Sequence, residues 1–219
     1  MITLYGVYRS RATRPLWLLH ELDLPFTHVP VIQAYRLPDP QAADAPIHTA
    51  TPEFLRVNPQ GQIPAMQDGD LILTESLAIA LYLARRYGRA LGPQDDAETA
   101  LMEQWALFAA TAIEGPALEI MMAPADATGE ASARVAAEKL RRPLARLDTH
   151  LQGRDWLVGD RFTVADIMLA ECLRYAQGHP SLLPEFPSVK AWLERAQADA
   201  KSELGREFRT IAIRQAMQA

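Results

Sequence analysis

The chain changes character once, and that change limits what it can fold into. Up to about residue 87, strand signals and helix signals alternate. Past the glycine- and proline-bearing stretch at 88–96, strand signals almost vanish. Residues 2–8 are rich in β-branched and aromatic side chains, whereas 14–22 carry apolar residues at helical spacing, with Pro15 acceptable in a first turn. Residues 26–32 read as a second strand, 65–67 and 71–73 as a hairpin across Asp68, Gly69 and Asp70, and 75–87 as a helix. The order is β-α-β followed by β-β-α. Beyond the stretch, residues 97–122, 130–151, 164–176 and 188–198 all show helical periodicity, broken at Pro124 and Gly129, at Gly153 and Gly159, and between Pro180 and Pro187. The pattern predicts an α/β domain at 1–87, a linker at 88–96 and an all-α helical bundle at 97–219. Residues 33–51 show no period and are expected to form a mobile surface loop. At 201–219, Leu204, Phe208, Ile211 and Gln215 recur at helical spacing, which predicts a docked terminal helix.

Of the 219 residues, 49% are hydrophobic, enough for a sizeable core. The net charge of −5 offers none of the basic surface that phosphate backbones require, so nucleic acid is not an expected partner. The N-terminal run lacks a charged leader and no apolar run nears the ~20 residues that span a bilayer, so a soluble chain without a membrane partner is expected. A single cysteine, Cys172, excludes an internal disulfide, and the reading places the chain in the cytoplasm. Ile167, Leu169 and Leu173 share its apolar stripe, which predicts a buried, inert thiol. His20, His28, His48, His150 and His179 lack paired ligand spacing, so no metal is expected.

Separate stretches, in order, carry the chemistry. Leu4, Tyr5 and Gly6 lead through Ser10 and Arg11 into the helix beginning at Arg14; Asn58, Pro59, Gln60, Gly61, Gln62, Ile63 and Pro64 precede the hairpin; Leu73, Thr74, Glu75 and Ser76 open the next helix; and Phe162, Thr163, Val164, Ala165 and Asp166 open a helix of the second half. The last has the form of a capping box and reads as structural. Together these motifs resemble the cytosolic glutathione transferase superfamily over essentially the whole chain, most densely at 1–87, and suggest a bacterial-type, serine-dependent, theta-like or related class.

The resemblance implies a thioredoxin-like first domain, an all-helical second domain, a homodimer, and a detoxifying enzyme that presents the glutathione thiolate to a hydrophobic electrophile. It assigns thiolate stabilisation to Ser10, and a hydroxyl beside a helix N-terminus does favour thiolate over thiol. A turn or cap is the plain alternative for a serine at this place. Arg11 is a candidate to raise the local potential, and Tyr8 competes as hydroxyl donor, although a position within the first strand favours packing. The family pattern puts a cis bond before Pro64, which would leave the backbone of Ile63 open to pair with the cysteinyl backbone, and sets Gln62 near the glycine end. It gives Glu75 and Ser76 to the γ-glutamyl group, with an ordinary helix cap as the alternative. Trp105, Phe108, Ile113, Met121 and Met122 read mostly as core, with some free to line an apolar co-substrate pocket. A non-catalytic interaction or stress module and a glutathione-dependent isomerase or dehalogenase are the competing functions on this fold.

Overall fold

The computed structural model describes residues 1–198, so the terminal helix expected at 201–219 lies outside the described residues. Met1–Arg86 form one compact unit and the residues from Tyr87 a second. The first is built on a four-stranded sheet, β1 (Ile2–Tyr5), β2 (Phe26–Val29), β3 (Ala65–Asp68) and β4 (Leu71–Thr74), in the order β2-β1-β3-β4. The helix α1 (Thr13–Glu21) connects β1 to its parallel neighbour β2, while β3 runs antiparallel to both β1 and β4. This is the mixed sheet of a thioredoxin-like domain. Leu4 and Met66 are partners in register and fully buried on one face. On the other, Val31, Phe54 and Ala65 pack with Tyr5, Val29 and Ile63.

Differences from the sequence reading in this unit are local. The first strand ends at Tyr5, because Gly6 turns the chain at a φ of +143°; Tyr8 therefore lies in the loop and outside the strand. A short helix, α2 (Pro52–Val57), was not foreseen, since six residues are too few to display a period. Its start is nonetheless legible in Pro52 at the first helical position. The segment 33–51 has little regular structure, a 3₁₀ turn at Ala34–Arg36 and a bridge between Ile32 and His48. His48 is buried, its Nε2 2.9 Å from the carbonyl of Pro40. The helix α3 (Ser76–Tyr87) follows β4 after a single residue.

The second unit is helical among the described residues: α4 (Asp96–Phe108), α5 (Glu114–Met122), α6 (Ala127–Leu151), α7 (Val164–Leu173) and α8 (Pro187–Ala198), with short 3₁₀ turns ahead of α4 and between α7 and α8. A π-helical segment, Ala109–Ile113, links α4 to α5, so Asp96–Met122 runs as one continuous rod. By length and composition this rod is apolar enough to cross a membrane, a test that the core helix of a soluble protein also passes, and Glu103 and Glu114 interrupt its apolar run. Its buried face, with Met102, Trp105, Ala109, Ile113 and Ala117, meets α6 and α7. Trp105, Phe108 and Ile113 are buried as expected, whereas Met121 and Met122 are 52% and 74% exposed and belong to no core. Gly129, read from sequence as a break, lies within α6; a Cβ there would stand 1.8 Å from the carbonyl oxygen of Pro124. The glycine is there for close approach.

All of α7 is buried, Cys172 included. Its N-terminus is organised by Asp166, whose Oδ2 accepts from the Thr163 backbone N–H at 2.9 Å and whose Oδ1 accepts from Leu157 N–H at 3.0 Å and from Trp192 Nε1–H of α8 at 2.8 Å. One carboxylate thus joins a loop, a helix start and a second helix. Arg161 closes the next layer, with Nη1 donating to Glu98 at 2.8 Å and Nε to the Ala90 carbonyl at 2.8 Å. Burial pushes the Asp166 carboxyl up to about 6, against hydrogen bonds that favour the anion.

Asp166→Ala leaves buried N–H donors unpaired and is expected to cost roughly 3 to 5 kcal/mol, measured by urea unfolding. The folded-state value lies above the ~3.9 of an unfolded aspartate, so the contribution of this group is fully present below about pH 4 and is lost as pH rises towards 6. The stability advantage of wild type over Asp166→Asn should therefore shrink between pH 4 and 7; a constant difference would show that Asp166 does not titrate in that window.

Candidate functional site

Strand register decides which loops of the first unit meet. Tyr5 at the end of β1 pairs with Ala65 at the start of β3, and Ala65 pairs with Thr74 at the end of β4. Neighbouring strands are about 4.8 Å apart, so the chain segments that continue from these residues share one end of the sheet within ~10 Å. Those segments hold Ser10, Gln62 to Pro64, and Glu75 with Ser76. The sequence-predicted residues therefore come together from separate stretches of chain.

Gly6 makes the approach tight. A Cβ on it would lie 2.8 Å from the Cβ of Ala12 and 3.5 Å from that of Ile63. The loop of Ser10 is thus packed directly on the Ile63-Pro64 segment, whose peptide bond is cis. Pro64 is buried and Gln62 exposed, with the Gln62 carbonyl accepting from Asn58 Nδ2 at 2.8 Å. Among the described residues, no hydrogen bond engages the backbone of Ile63.

Ser10 is half-buried ahead of α1. Its hydroxyl donates to the Val7 carbonyl at 2.6 Å, and its oxygen accepts from the Ala12 N–H at 3.0 Å. The turn role open to any serine before a helix is therefore filled in this conformation. Tyr8 stands two residues away, its ring 5.0 Å from that of His28, and burial raises its phenol above the ordinary value, keeping it a neutral donor. Arg11 is exposed.

At the other side of the site, Glu75 is exposed and left-handed, with φ +64°, an uncommon conformation for a side chain of its size. Its carbonyl accepts from Ile79 N–H at 2.9 Å, so the helix hydrogen bonds begin there and Ser76 is the first helical residue. Ser76 is 4% exposed and accepts at Oγ from Nη1 of Arg14 at 2.9 Å. The capping alternative is not realised: the serine faces a guanidinium across the unit and not the amides of its own helix. Arg14 was missed by the sequence reading. The available signal was a charged residue on the same helical stripe as Trp17 and Leu18, with no polar face to explain it.

Comparisons with known proteins agree with this geometry. Residues 8–86 match the glutathione S-transferase N-terminal domain, and residues 100–199 the glutathione S-transferase C-terminal domain. A glutathione S-transferase of Hyoscyamus muticus is 35% identical over 201 residues, covering 86% of this chain and 90% of its own. The glutathione-bound theta class enzyme of Xanthomonas axonopodis pv. citri superposes with a TM-score of 0.77 at 30% identity, over 93% of this chain and 96% of its own. Elongation factor 1-gamma of Rattus norvegicus is 37% identical over 153 residues, 65% of this chain but 33% of that longer protein. The chain belongs to the glutathione S-transferase family.

Gly6→Ala forces a Cβ into the contact between the loops and a positive φ on a side chain, at an expected cost of about 1 to 3 kcal/mol in urea unfolding. Gly69→Ala, also at positive φ but with nothing within 4 Å of its Cβ, should cost about 1 kcal/mol and leave activity intact. Equal effects of the two substitutions would mean that the close approach at Gly6 carries no weight.

Proposed function

We propose that this chain transfers the glutathione thiolate to a small hydrophobic electrophile, and that the end of the sheet shared by β1, β3 and β4 is where glutathione binds. The observation that supports the reading is the register in which Tyr5 pairs with Ala65 and Ala65 with Thr74, which sets the end of β1, the start of β3 and the end of β4 side by side. Ile63 pairs with the cysteinyl backbone as an added strand, Gln62 lies towards the glycine end, and Ser76 with Glu75 takes the γ-glutamyl group, carboxylate against the helix start and ammonium against the acid. Ser10 stabilises the thiolate, its hydroxyl turning from the Val7 carbonyl to the sulfur. A free thiol ionises near 8.5, and a lowering of about two units is worth ~2.7 kcal/mol, within reach of one charge-assisted hydrogen bond and the α1 N-terminus.

The same reading takes the chain as a cytoplasmic homodimer with domains at 1–87 and 97–219 joined at 88–96, acting in detoxification without a metal. Isologous pairing is the commonest arrangement for soluble oligomers. A second reading, a non-catalytic binding module, is favoured by the Ser10 hydrogen bond to Val7, which already occupies the hydroxyl. Turnover separates the two.

Ser10→Ala should lower conjugation of a model electrophile about ten- to a hundred-fold at neutral pH, with the deficit shrinking as pH rises and the thiol ionises unaided. Thiolate absorbance titrated in wild type, Ser10→Ala and Tyr8→Phe locates the donor: a raised pKa in Tyr8→Phe alone would transfer the role to Tyr8. No conjugation by wild type, with glutathione bound, would favour the module. Ser76→Ala should weaken glutathione binding by roughly 1 to 3 kcal/mol in calorimetry. Sedimentation at micromolar concentration should give a dimer.

A further inference from the structure

The second unit holds a cavity of about 700 Å³ between the end of α5, the first turns of α6 and the stretch that follows α7. That size lies within the ~300 to 1,000 Å³ of small-molecule sites. Its lining is largely apolar, with Ile120, Met121, Pro124, Tyr175 and Pro180. Two charged side chains of α6, Glu130 and Arg134, line it as well. They stand four residues apart on one face of the helix, in the order in which an acid and a base usually pair. Among the described residues neither side chain enters an ion pair or a hydrogen bond. The third charge on the wall, Arg174, is engaged: its Nε donates to the buried Glu171 at 2.9 Å, and its guanidinium lies 4.6 Å from the centre of the Tyr175 ring. Nδ1 of His179, a residue of the same wall, is buried without a hydrogen-bond partner. The cavity therefore offers a ligand one acid and one base, a helical turn apart, beside apolar and aromatic surface.

That pairing selects a class of ligand. A lone anion gains from Arg134 but is opposed by Glu130, and a lone cation meets the reverse. A molecule that carries both charges close together is opposed by neither. Side chains at this spacing have Cβ atoms about 5 to 6 Å apart, and both are long enough to close on an ammonium and a carboxylate borne by one carbon. The ring of Tyr175 between two prolines suits a flat apolar group. We propose that this cavity binds an aromatic α-amino acid, its ammonium on Glu130, its carboxylate on Arg134 and its side chain against Tyr175, Pro124 and Pro180. None of these residues belongs to the proposed glutathione site, so the two sites stand or fall separately.

Calorimetry on the full-length protein at low salt, with L-tryptophan, L-tryptophan amide and N-acetyl-L-tryptophan, separates the charges. The amide keeps only the ammonium and the N-acetyl compound only the carboxylate. Tryptophan should bind with a Kd of about 0.1 to 1 mM, as expected of a ligand of its size, and each analogue about three- to tenfold more weakly. Glu130→Gln should bring tryptophan down to the level of N-acetyltryptophan without weakening the latter. Arg134→Gln should bring it down to the level of the amide without weakening the amide. Both residues are exposed, so neither substitution threatens the fold. Ala133→Trp, which fills the cavity from its own wall, should abolish binding of all three ligands. Saturation with S-hexylglutathione, which occupies the thiol site and its apolar neighbourhood, should leave tryptophan binding intact. An analogue that binds wild type as tightly as tryptophan removes the role of one charge and overturns the proposal. Displacement by S-hexylglutathione, or undiminished binding in Ala133→Trp, puts the amino acid elsewhere and overturns it equally. So does the absence of any heat from tryptophan at about ten times the expected Kd.

Discussion

The antiparallel pairing of β1 with β3 is the constraint on which the first unit depends. Side chains alternate along a strand, so a slip of one residue would turn Leu4 and Met66 from the core to the opposite face and bring Tyr5 out of its contact with Phe54. Two fully buried side chains, Leu4 and Met66, meet in that register and hold it. Once it is held, the ends of β1, β3 and β4 are fixed side by side, and the loops that leave them have little choice of place. Gly6 tightens the arrangement, since its missing side chain lets the first loop rest against Ile63 and Pro64.

A comparable economy governs the helical unit, with a polar group at its centre in place of an apolar pair. Asp166 receives N–H donors from Leu157, Thr163 and Trp192, and so ties the start of α7 to a preceding loop and to α8. Burying a carboxylate is unfavourable, and its ionisation stays displaced upward even after its hydrogen bonds have favoured the anion. What offsets it is the number of backbone and indole donors that would otherwise be buried without a partner.

Much of this was legible in the sequence, and the parts that were not share a cause. The β-α-β and β-β-α order, the change to helices and the capping pattern at Thr163 and Asp166 are set by neighbours along the chain, where period and turn chemistry speak directly. So are the motifs that carry the family resemblance. What sequence reading missed depends on contacts between distant segments. Gly129 looks like a helix break because glycine has low helical propensity, yet it stands inside α6 for want of space beside Pro124. Arg14 shares the apolar stripe of α1, and its partner, Ser76, lies 62 residues further on, beyond the reach of any local pattern. Tyr8 was drawn into the first strand because aromatic residues suit strands, while the strand ends at the turn made by Gly6.

The hydrogen bond between Ser10 and the Val7 carbonyl has a consequence for the proposed chemistry. A sulfur arriving at the site must draw the hydroxyl away from an oxygen that already accepts from it at 2.6 Å. A neutral thiol is a weak acceptor and a poor rival to a peptide carbonyl, whereas a thiolate is a strong one. If Ser10 serves the sulfur as proposed, the loop discriminates between ionisation states: the hydroxyl turns its hydrogen bond to the anion and withholds it from the thiol. In that proposal the carbonyl of Val7 sets the threshold of the competition, and it is a backbone atom that no side-chain substitution removes.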